Sequence, residues 1–300
     1  MGAQLRIYRQ KIRSAQTTKK ITRAMELISA SRIAKALARV NEAGPYTQEL
    51  SRAVSLVAHR SNVEHILTTE PKSITRAAVV LFTSDRGLAG AFNSQVIRSA
   101  LQLEALLQDQ GKQVDFYLVG RKAVGFFAFR RRSSIASWTG DTDQPSFDLA
   151  KEISDKLIEQ FVREEAEGGV NEIHLVFNQF VSTMTQAPTV RRLLPLALEG
   201  RLEDDTLPDV DGVAPLYEFE PDAETVLDRL LPAYIESRVF YALLHSAASK
   251  HAATQKAMKS ASDNADKLIT NYTRLANNAR QAEITQQISE IVGGADALAS

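Results

Sequence analysis

The stretch Ser84-Asp85-Arg86-Gly87-Leu88-Ala89-Gly90 is the part of this chain whose composition most invites chemistry. It follows an apolar run at 77–82 and precedes a helical segment, and a glycine-rich strand-to-helix turn is where open α/β folds bind phosphates. Its spacing matches neither a dinucleotide fingerprint nor a Walker loop, and no Lys-Ser or Lys-Thr follows. A tight turn that needs glycine is the simpler reading, because position in a fold is weak evidence of function. The five histidines are His59, His65, His174, His245 and His251, and none forms a metal-binding pair with local carboxylates. The adjacent acids Glu164-Glu165 and Asp204-Asp205 fall in polar segments, whereas acid–base pairs need a cleft that separates their pKa values. No Gly-x-Ser-x-Gly elbow occurs. The absence of cysteine excludes disulfides, thiolate chemistry and cysteine-ligated metal. The residues therefore predict a chain with no catalytic site, no bound metal and no cofactor.

The elements that would position any site are dominated by the two ends. Residues 3–43 contain neither glycine nor proline until Gly44-Pro45 breaks the run, and residues 233–292 contain neither until Gly293-Gly294. As helices these runs make rods of about 60 and 90 Å. A compact domain of this length has a radius of gyration of only about 19 Å, so the second rod is expected to project. Met258, Ala261, Ala265, Leu268, Tyr272, Leu275, Ala279 and Ala282 recur at steps of three and four, a sustained heptad pattern. Four of the eight are alanine, which calls for a partner backbone at close range. In the first rod Leu5, Tyr8, Ile12 and Ala15 share one stripe. Ala30, Ile33, Leu37 and Val40 share another, with a shift of phase between them. Two narrow apolar stripes at the two chain ends predict an antiparallel pair. An ordinary helical bundle is the bland alternative, but periodic patterns this long favour coiled coils or repeats, and no internal repeat is visible.

Between the rods the period changes. Strands are predicted at 77–82, 114–119, 134–138, 173–177 and 189–196, the last at an edge because of Pro195. Helices are predicted at 93–107, 121–129 and 147–165. Strands alternating with helices imply a mostly parallel sheet covered on both faces. Pro221 and Pro232 mark helix starts, Pro232 separating a short helix from the long one. The expected fold class is α/β plus a long antiparallel coiled coil, with paired N- and C-terminal helices and a central Rossmann-like, mostly parallel sheet. Its parts are an N-terminal coiled-coil helix at 1–60, the α/β domain at 75–200, a polar linker at 201–220 and the long C-terminal helix at 221–300.

Charge narrows the partners. Lys+Arg and Asp+Glu are both 36, so the formal net charge is zero. No apolar run approaches the roughly 20 residues of a membrane span, and the opening Met-Gly-Ala-Gln-Leu-Arg carries no apolar signal core, which argues against secretion. Within the first 40 residues ten Lys and Arg face only Glu26. Such a surface suits acidic partners. Nucleic acid is disfavoured because Tyr8 is the only base-stacking aromatic there. Two other classes stay open on the residues alone: a nucleotide-binding α/β enzyme with helical arms, and a basic coiled-coil nucleic-acid binder.

Four stretches then resemble the gamma-subunit family of F-type ATP synthases: Lys20-Ile21-Thr22-Arg23-Ala24-Met25-Glu26, the glycine turn at 84–90, Ala257-Met258-Lys259-Ser260-Ala261-Ser262-Asp263-Asn264-Ala265, and the segment from Ala279 to Ala295. The resemblance spans the whole chain, and the C-terminal stretch is its most specific part. It implies a non-catalytic central-stalk rotor that enters a ring of alternating alpha and beta subunits. Its foot would rest, with the epsilon subunit, on the membrane c-ring. Proton-driven rotation would then drive ATP synthesis on beta. It implies a peripheral place on the cytoplasmic face of a bacterial cell membrane, with neither direct membrane insertion nor nucleic acid. Carried over position by position, it makes Lys19, Lys20, Arg23 and Met25 the part facing beta. Arg280, Gln281, Thr285 and Gln287 become the cluster engaging loops of alpha and beta, and Tyr217 and Glu220 the foot. Two departures stand out. Gln287 stands where the family usually has Glu, and Ala89 where many members have Cys.

Overall fold

The computed structural model describes residues 3–60, 66–69, 71, 73–196 and 219–299, with side chains at all of these except 55, 58–60 and 293–299. The chain forms two compact units, Met1–Ala30 with Thr254–Ser300, and Ser31–Ala253. Helices α1 (Ala3–Arg60) and α5 (Ala223–Ala299) contribute to both.

The larger unit is built on a five-stranded sheet. Its strands are β1 (Arg76–Phe82), β2 (Gln113–Val119), β3 (Ala136–Trp138), β4 (Glu172–Phe180) and β5 (Gln186–Leu194), in the order β3-β2-β1-β4-β5. The first four run parallel, with Val79 opposite both Phe116 and His174, and β5 pairs antiparallel with β4 at one edge. The apolar runs of β1 and β4 are continuous rather than alternating because both faces of the sheet are covered. One face packs Ala77, Val79, Leu81, Phe116 and Leu118 against α2 (Phe92–Asp109) and α3 (Arg121–Phe129) through Val96, Ala100, Leu107, Ala123 and Phe127. The other packs Val80, Phe82, Tyr117, Leu175 and Phe177 against three helices. These are α4 (Phe147–Val162), the Leu50–Val57 stretch of α1, and the first turns of α5 from Leu227 to Leu243.

Three sequence signals for helix ends are overridden. Helix α1 runs through Gly44-Pro45, and α5 runs through both Pro232 and Gly293-Gly294. An internal proline costs about 3 kcal/mol. Burying a large aliphatic side chain returns about 1.5–3 kcal/mol. Leu50, Val54 and Val57 beyond Pro45, and Leu227, Leu231 and Ile235 around Pro232, are all buried and hold each helix across its proline. An internal glycine costs only about 1 kcal/mol and is a weak stop. The start of α5 follows its sequence signal: Asp222 accepts from Thr225 N at 2.8 Å and Thr225 Oγ1 at 2.9 Å, closing the first turn. Tyr217 and the linker at 201–218 lie outside the described residues.

The smaller unit contains the two terminal segments, and they run antiparallel. Tyr8 stacks on Tyr272 with centroids 6.5 Å apart, while Lys19, further along α1, meets Asp266, earlier along α5. Both helices carry an unbroken heptad seam. On α1 it is Leu5, Tyr8, Ile12, Ala15, Lys19, Thr22, Glu26 and Ser29, each buried or half-buried. The same helix continues in phase through Ile33, Ala36 and Val40. The expected phase shift is therefore absent, because polar residues occupy the seam where apolar ones lapse. On α5 the seam is Met258, Ser262, Ala265, Ile269, Tyr272, Ala276, Ala279 and Glu283, whereas Leu268 is 46 % exposed and Ala282 is exposed. Four of the eight predicted positions hold and the others move by one residue. A heptad stripe is wide enough to offer two adjacent candidates, and hydrophobicity alone selects the wrong one.

Candidate functional site

The coil is slim. Ala15, Ala265 and Ala276 are buried in it, so the helices meet over small side chains. The polar seam residues are satisfied within it. Thr22 Oγ1 donates back to the carbonyls of Thr18 and Lys19 at 3.0 and 3.1 Å, and Arg23 Nη1 donates to both oxygens of the buried Glu26 at 2.8 Å. Outside the seam α1 carries an exposed apolar row at heptad spacing, Ile7, Ile21 and Ile28, with Leu27 beside it. From Ile284 to Val292 every side chain of α5 is exposed, Ile288 at 56 % and Ile291 at 72 %. Exposed large aliphatic side chains in rows, flanked by polar ones, are surfaces for partners.

The glycine turn is closed by the protein itself. Asp85 accepts from Arg121 N at 3.1 Å, and from Thr142 N and Oγ1 at 3.1 and 2.7 Å. Its carboxylate thus sits at the N-terminus of α3, the helix after the neighbouring strand β2, and ties the glycine turn to it. Burial raises its pKa, but the bonds from Thr142, Gly140 and Arg121 outweigh that and leave it lowered, so the carboxylate stays charged in place. Gly120 has φ 96°, and a Cβ there would lie 2.4 Å from Thr83 O. Thr83 Oγ1 in turn donates to Val119 O at 2.9 Å and accepts from Ala123 N at 3.0 Å. Glycine at 120 is needed for that close approach. The turn also presents Leu88, a non-glycine residue at φ 65° that is 62 % exposed.

His174, His245 and His251 are structural. His245 Nδ1 accepts from Phe180 N at 3.3 Å, and its ring lies 4.1 Å from that of Tyr241. His251 Nε2 is 3.2 Å from Asp143 O. His174 Nε2 lies 3.0 Å from Glu172 Oε1, whose other oxygen meets Lys112 Nζ at 2.6 Å. Among the described residues no group of three or more His, Asp or Glu is arranged to hold a metal, and no helix is long and apolar enough to cross a membrane.

Comparison with known proteins decides the family. The family model described as ATP synthase matches residues 4–298. A curated ATP synthase gamma chain from Leifsonia xyli subsp. xyli is 66% identical over 300 residues, covering 100% of this chain and 99% of the relative. One from Streptomyces avermitilis is 56% identical over 299 residues, covering 100% and 97%. The chain belongs to the ATP synthase gamma-chain family. Among solved structures, a chain of the Euglena gracilis mitochondrial ATP synthase (OSCP/F1/c-ring) shares the fold at TM-score 0.67 and 17% identity, covering 99% of this chain and 95% of that one. A chain of the Tetrahymena thermophila mitochondrial central stalk/c-ring does so at TM-score 0.58 and 23% identity, covering 81% and 99%.

Gamma-chain membership accounts for the long helical pair, and the gamma chain is not the catalytic subunit. The contact residues expected from the resemblance fall in two groups in the smaller unit. Lys20 and Arg23 are exposed beside Ile21 and Leu27, and Met25 is half-buried. The Lys19 side chain is 43 % exposed, and its Nζ lies 2.6 Å from Asp266 Oδ1 across the coil. Arg280, Gln281, Thr285 and Gln287 are all exposed near the end of α5. Helical spacing puts Arg280 and Gln287 on one face with Ile284 and Ile291, and Gln281 and Thr285 on the next with Ile288. Glu220 is exposed just ahead of α5. The apolar row Ile7, Ile21 and Ile28 did not figure among the expected contacts. Its signal was available, as isoleucines a multiple of seven apart that do not belong to the seam.

Proposed function

We propose that this chain is the central-stalk rotor of an ATP synthase, coupling proton-driven rotation of a c-ring to conformational change and ATP synthesis at the beta subunits, with no cofactor of its own. The observation that carries the reading is the antiparallel terminal coil, slim at its alanine-rich seam and continued by an α5 end exposed on every side. A shaft must be stiff where paired and must grip its sleeve at few points. The exposed rows on α1 and α5 supply those points: Lys20, Arg23 and Met25 with Ile21 and Leu27 toward beta, and Arg280, Gln281, Thr285 and Gln287 toward loops of alpha and beta. Lys19, half exposed beside Asp266, adds its charge to the same face. Tyr217 and Glu220 belong to the foot, toward the epsilon subunit and the c-ring. The place of action is the cytoplasmic face of a bacterial cell membrane, reached through the complex.

The spacing of the glycine turn, which fits neither a dinucleotide fingerprint nor a Walker loop, weighs against the nucleotide-binding alternative. Purification of the tagged chain from its source tests the proposal. Recovery with alpha, beta and epsilon subunits and with ATP-driven proton pumping is expected. A lone monomer that supports no pumping would sink it.

A further inference from the structure

We infer that the loop at 139–146 is a latch locking the α/β domain to both long helices, with Asp143 as a positioning residue for rotary coupling; this rests on the rotor reading above. Every contact involved lies within the larger unit. On one side the loop is bonded to the glycine turn, Thr142 Oγ1 donating to Asp85 Oδ2 at 2.7 Å and Asp85 N donating to Thr142 Oγ1 at 2.9 Å. On the other side Asp143 holds both helices. Its Oδ1 accepts from Lys250 Nζ of α5 at 2.6 Å, its Oδ2 lies 3.8 Å from Arg32 Nη1 of α1, and its carbonyl is 3.2 Å from His251 Nε2. Two residues on, Pro145 O accepts from Arg39 Nη2 of α1 at 2.6 Å. Ser146 then caps α4 through Leu149 N at 3.2 Å.

Lys250 is 5 % exposed. Asp143 is half-buried, and an ion pair drawn this far from water is seldom kept for stability, since a well-packed apolar pair serves as well. What it adds is direction. Apolar attraction is non-directional, whereas charge-assisted hydrogen bonds fix one register. Packing at the joint is incomplete: a cavity of about 230 Å³ lies beside it, lined by Arg32, Arg39, Asp143, Pro145, Leu244 and Ala247 among others. Elsewhere the apolar core holds the domain to Leu50–Val57 and Leu227–Leu243, and at this level the polar bonds fix its register. Arg32 and His251 also lie within two residues of Ser31 and Ala253, where α1 and α5 leave this unit. Twist applied to the domain passes to the helices at that level.

The test uses the assembled, membrane-reconstituted ATP synthase carrying Asp143→Ala, Asp143→Glu, or the double change Asp143→Leu with Lys250→Met. Protons pumped per ATP hydrolysed is the readout, with subunit recovery and thermal midpoint as controls. Asp143→Ala should lower the pumping ratio by about threefold, within the range by which residues along a coupling route modulate it. Asp143→Glu should retain most of it. The double variant should assemble with a normal midpoint and still couple poorly, because the buried charge is gone but so is the tether. An unchanged ratio in Asp143→Ala, or full recovery of coupling in the double variant, would overturn the latch while leaving the rotor reading intact. Failure of both to assemble would also overturn it, placing the loop in folding. Absence of pumping in the unaltered complex would instead strike at the rotor reading.

Discussion

Lys19 and Asp266 join the two terminal helices across 2.6 Å, with both side chains close to half exposed. Lys19 lies within the α1 seam that Thr22, Glu26 and Ser29 continue, and Asp266 flanks the α5 seam beside Ala265. Exposed pairs of this kind contribute about 0.2–1 kcal/mol and weaken with salt. A double-mutant cycle on Lys19→Ala and Asp266→Ala should give a coupling energy below about 1 kcal/mol that falls further in molar salt. A coupling of several kcal/mol would mean that the coil depends on this pair, and the alanine seam would lose its place as the main contact.

The seam itself should be intolerant of bulk. Ala265 is buried and Ala279 half-buried on the contact face. Leucine at both adds methylenes where the backbones approach, and overpacking costs about 1–3 kcal/mol at a well-packed site. The double variant Ala265→Leu, Ala279→Leu should widen the coil and impair assembly or coupling. Proton pumping driven by ATP is the measurement, and unchanged pumping would count against a slim shaft as a requirement.

What the sequence disclosed and what it hid follow from the same physics. The strands of the α/β domain were legible because a sheet covered on both faces forces continuous apolar runs, as in Ala77–Phe82 and Ile173–Phe177. Helix α3 was legible because Gly120 and the apolar Ala123 and Phe127 bracket it. The seam was half legible. Lys19, Thr22 and Glu26 read as surface, yet they continue the stripe from Ala15 to Ile33, since a long side chain can lay its stem along a seam. Pro45 and Pro232 read as stops because local signals do not report the tertiary burial that overrides them. Asp143 gave no signal at all: its partners Arg32 and Lys250 are more than a hundred residues away in sequence.

His245 sets a pH dependence. Burial, with the Arg191 charge beside it, pushes its pKa down to about 4 from 6.5. Its Nδ1 accepts the Phe180 N–H, which requires the neutral ring. The folded state therefore binds fewer protons than the unfolded state between these values. Its contribution is complete above pH 6.5 and is lost as pH falls toward 4. The span amounts to at most about 3 kcal/mol. Urea unfolding at pH 7.5 and pH 5 should show the wild-type chain weakened at the lower value, and His245→Gln should flatten that difference. Equal slopes in the two proteins would show that the ring titrates freely.

The end of α5 separates stability from function. Ile284, Ile288 and Ile291 are exposed, and no seam contact reaches beyond Glu283 among the described residues. Substitution of exposed side chains away from special features changes stability by about 0.5 kcal/mol or less. The triple variant Ile284→Ser, Ile288→Ser, Ile291→Ser should therefore melt at the wild-type temperature as a free chain. In the assembled complex the same residues would meet the sleeve, where an aliphatic anchor in a fitted pocket carries a disproportionate share of the contact energy. ATP hydrolysis should persist, since its chemistry lies on another subunit, while pumping per ATP falls. Gln287→Glu, which supplies the acid that the family resemblance leads one to expect there, should leave the free chain's melting unchanged as well. In the complex it should alter the salt dependence of pumping, because a charge replaces a neutral amide at that contact. Wild-type coupling from the serine variant would show that the grip lies elsewhere on the shaft, with the Ile21 and Ile28 row of α1 as the next surface to cut.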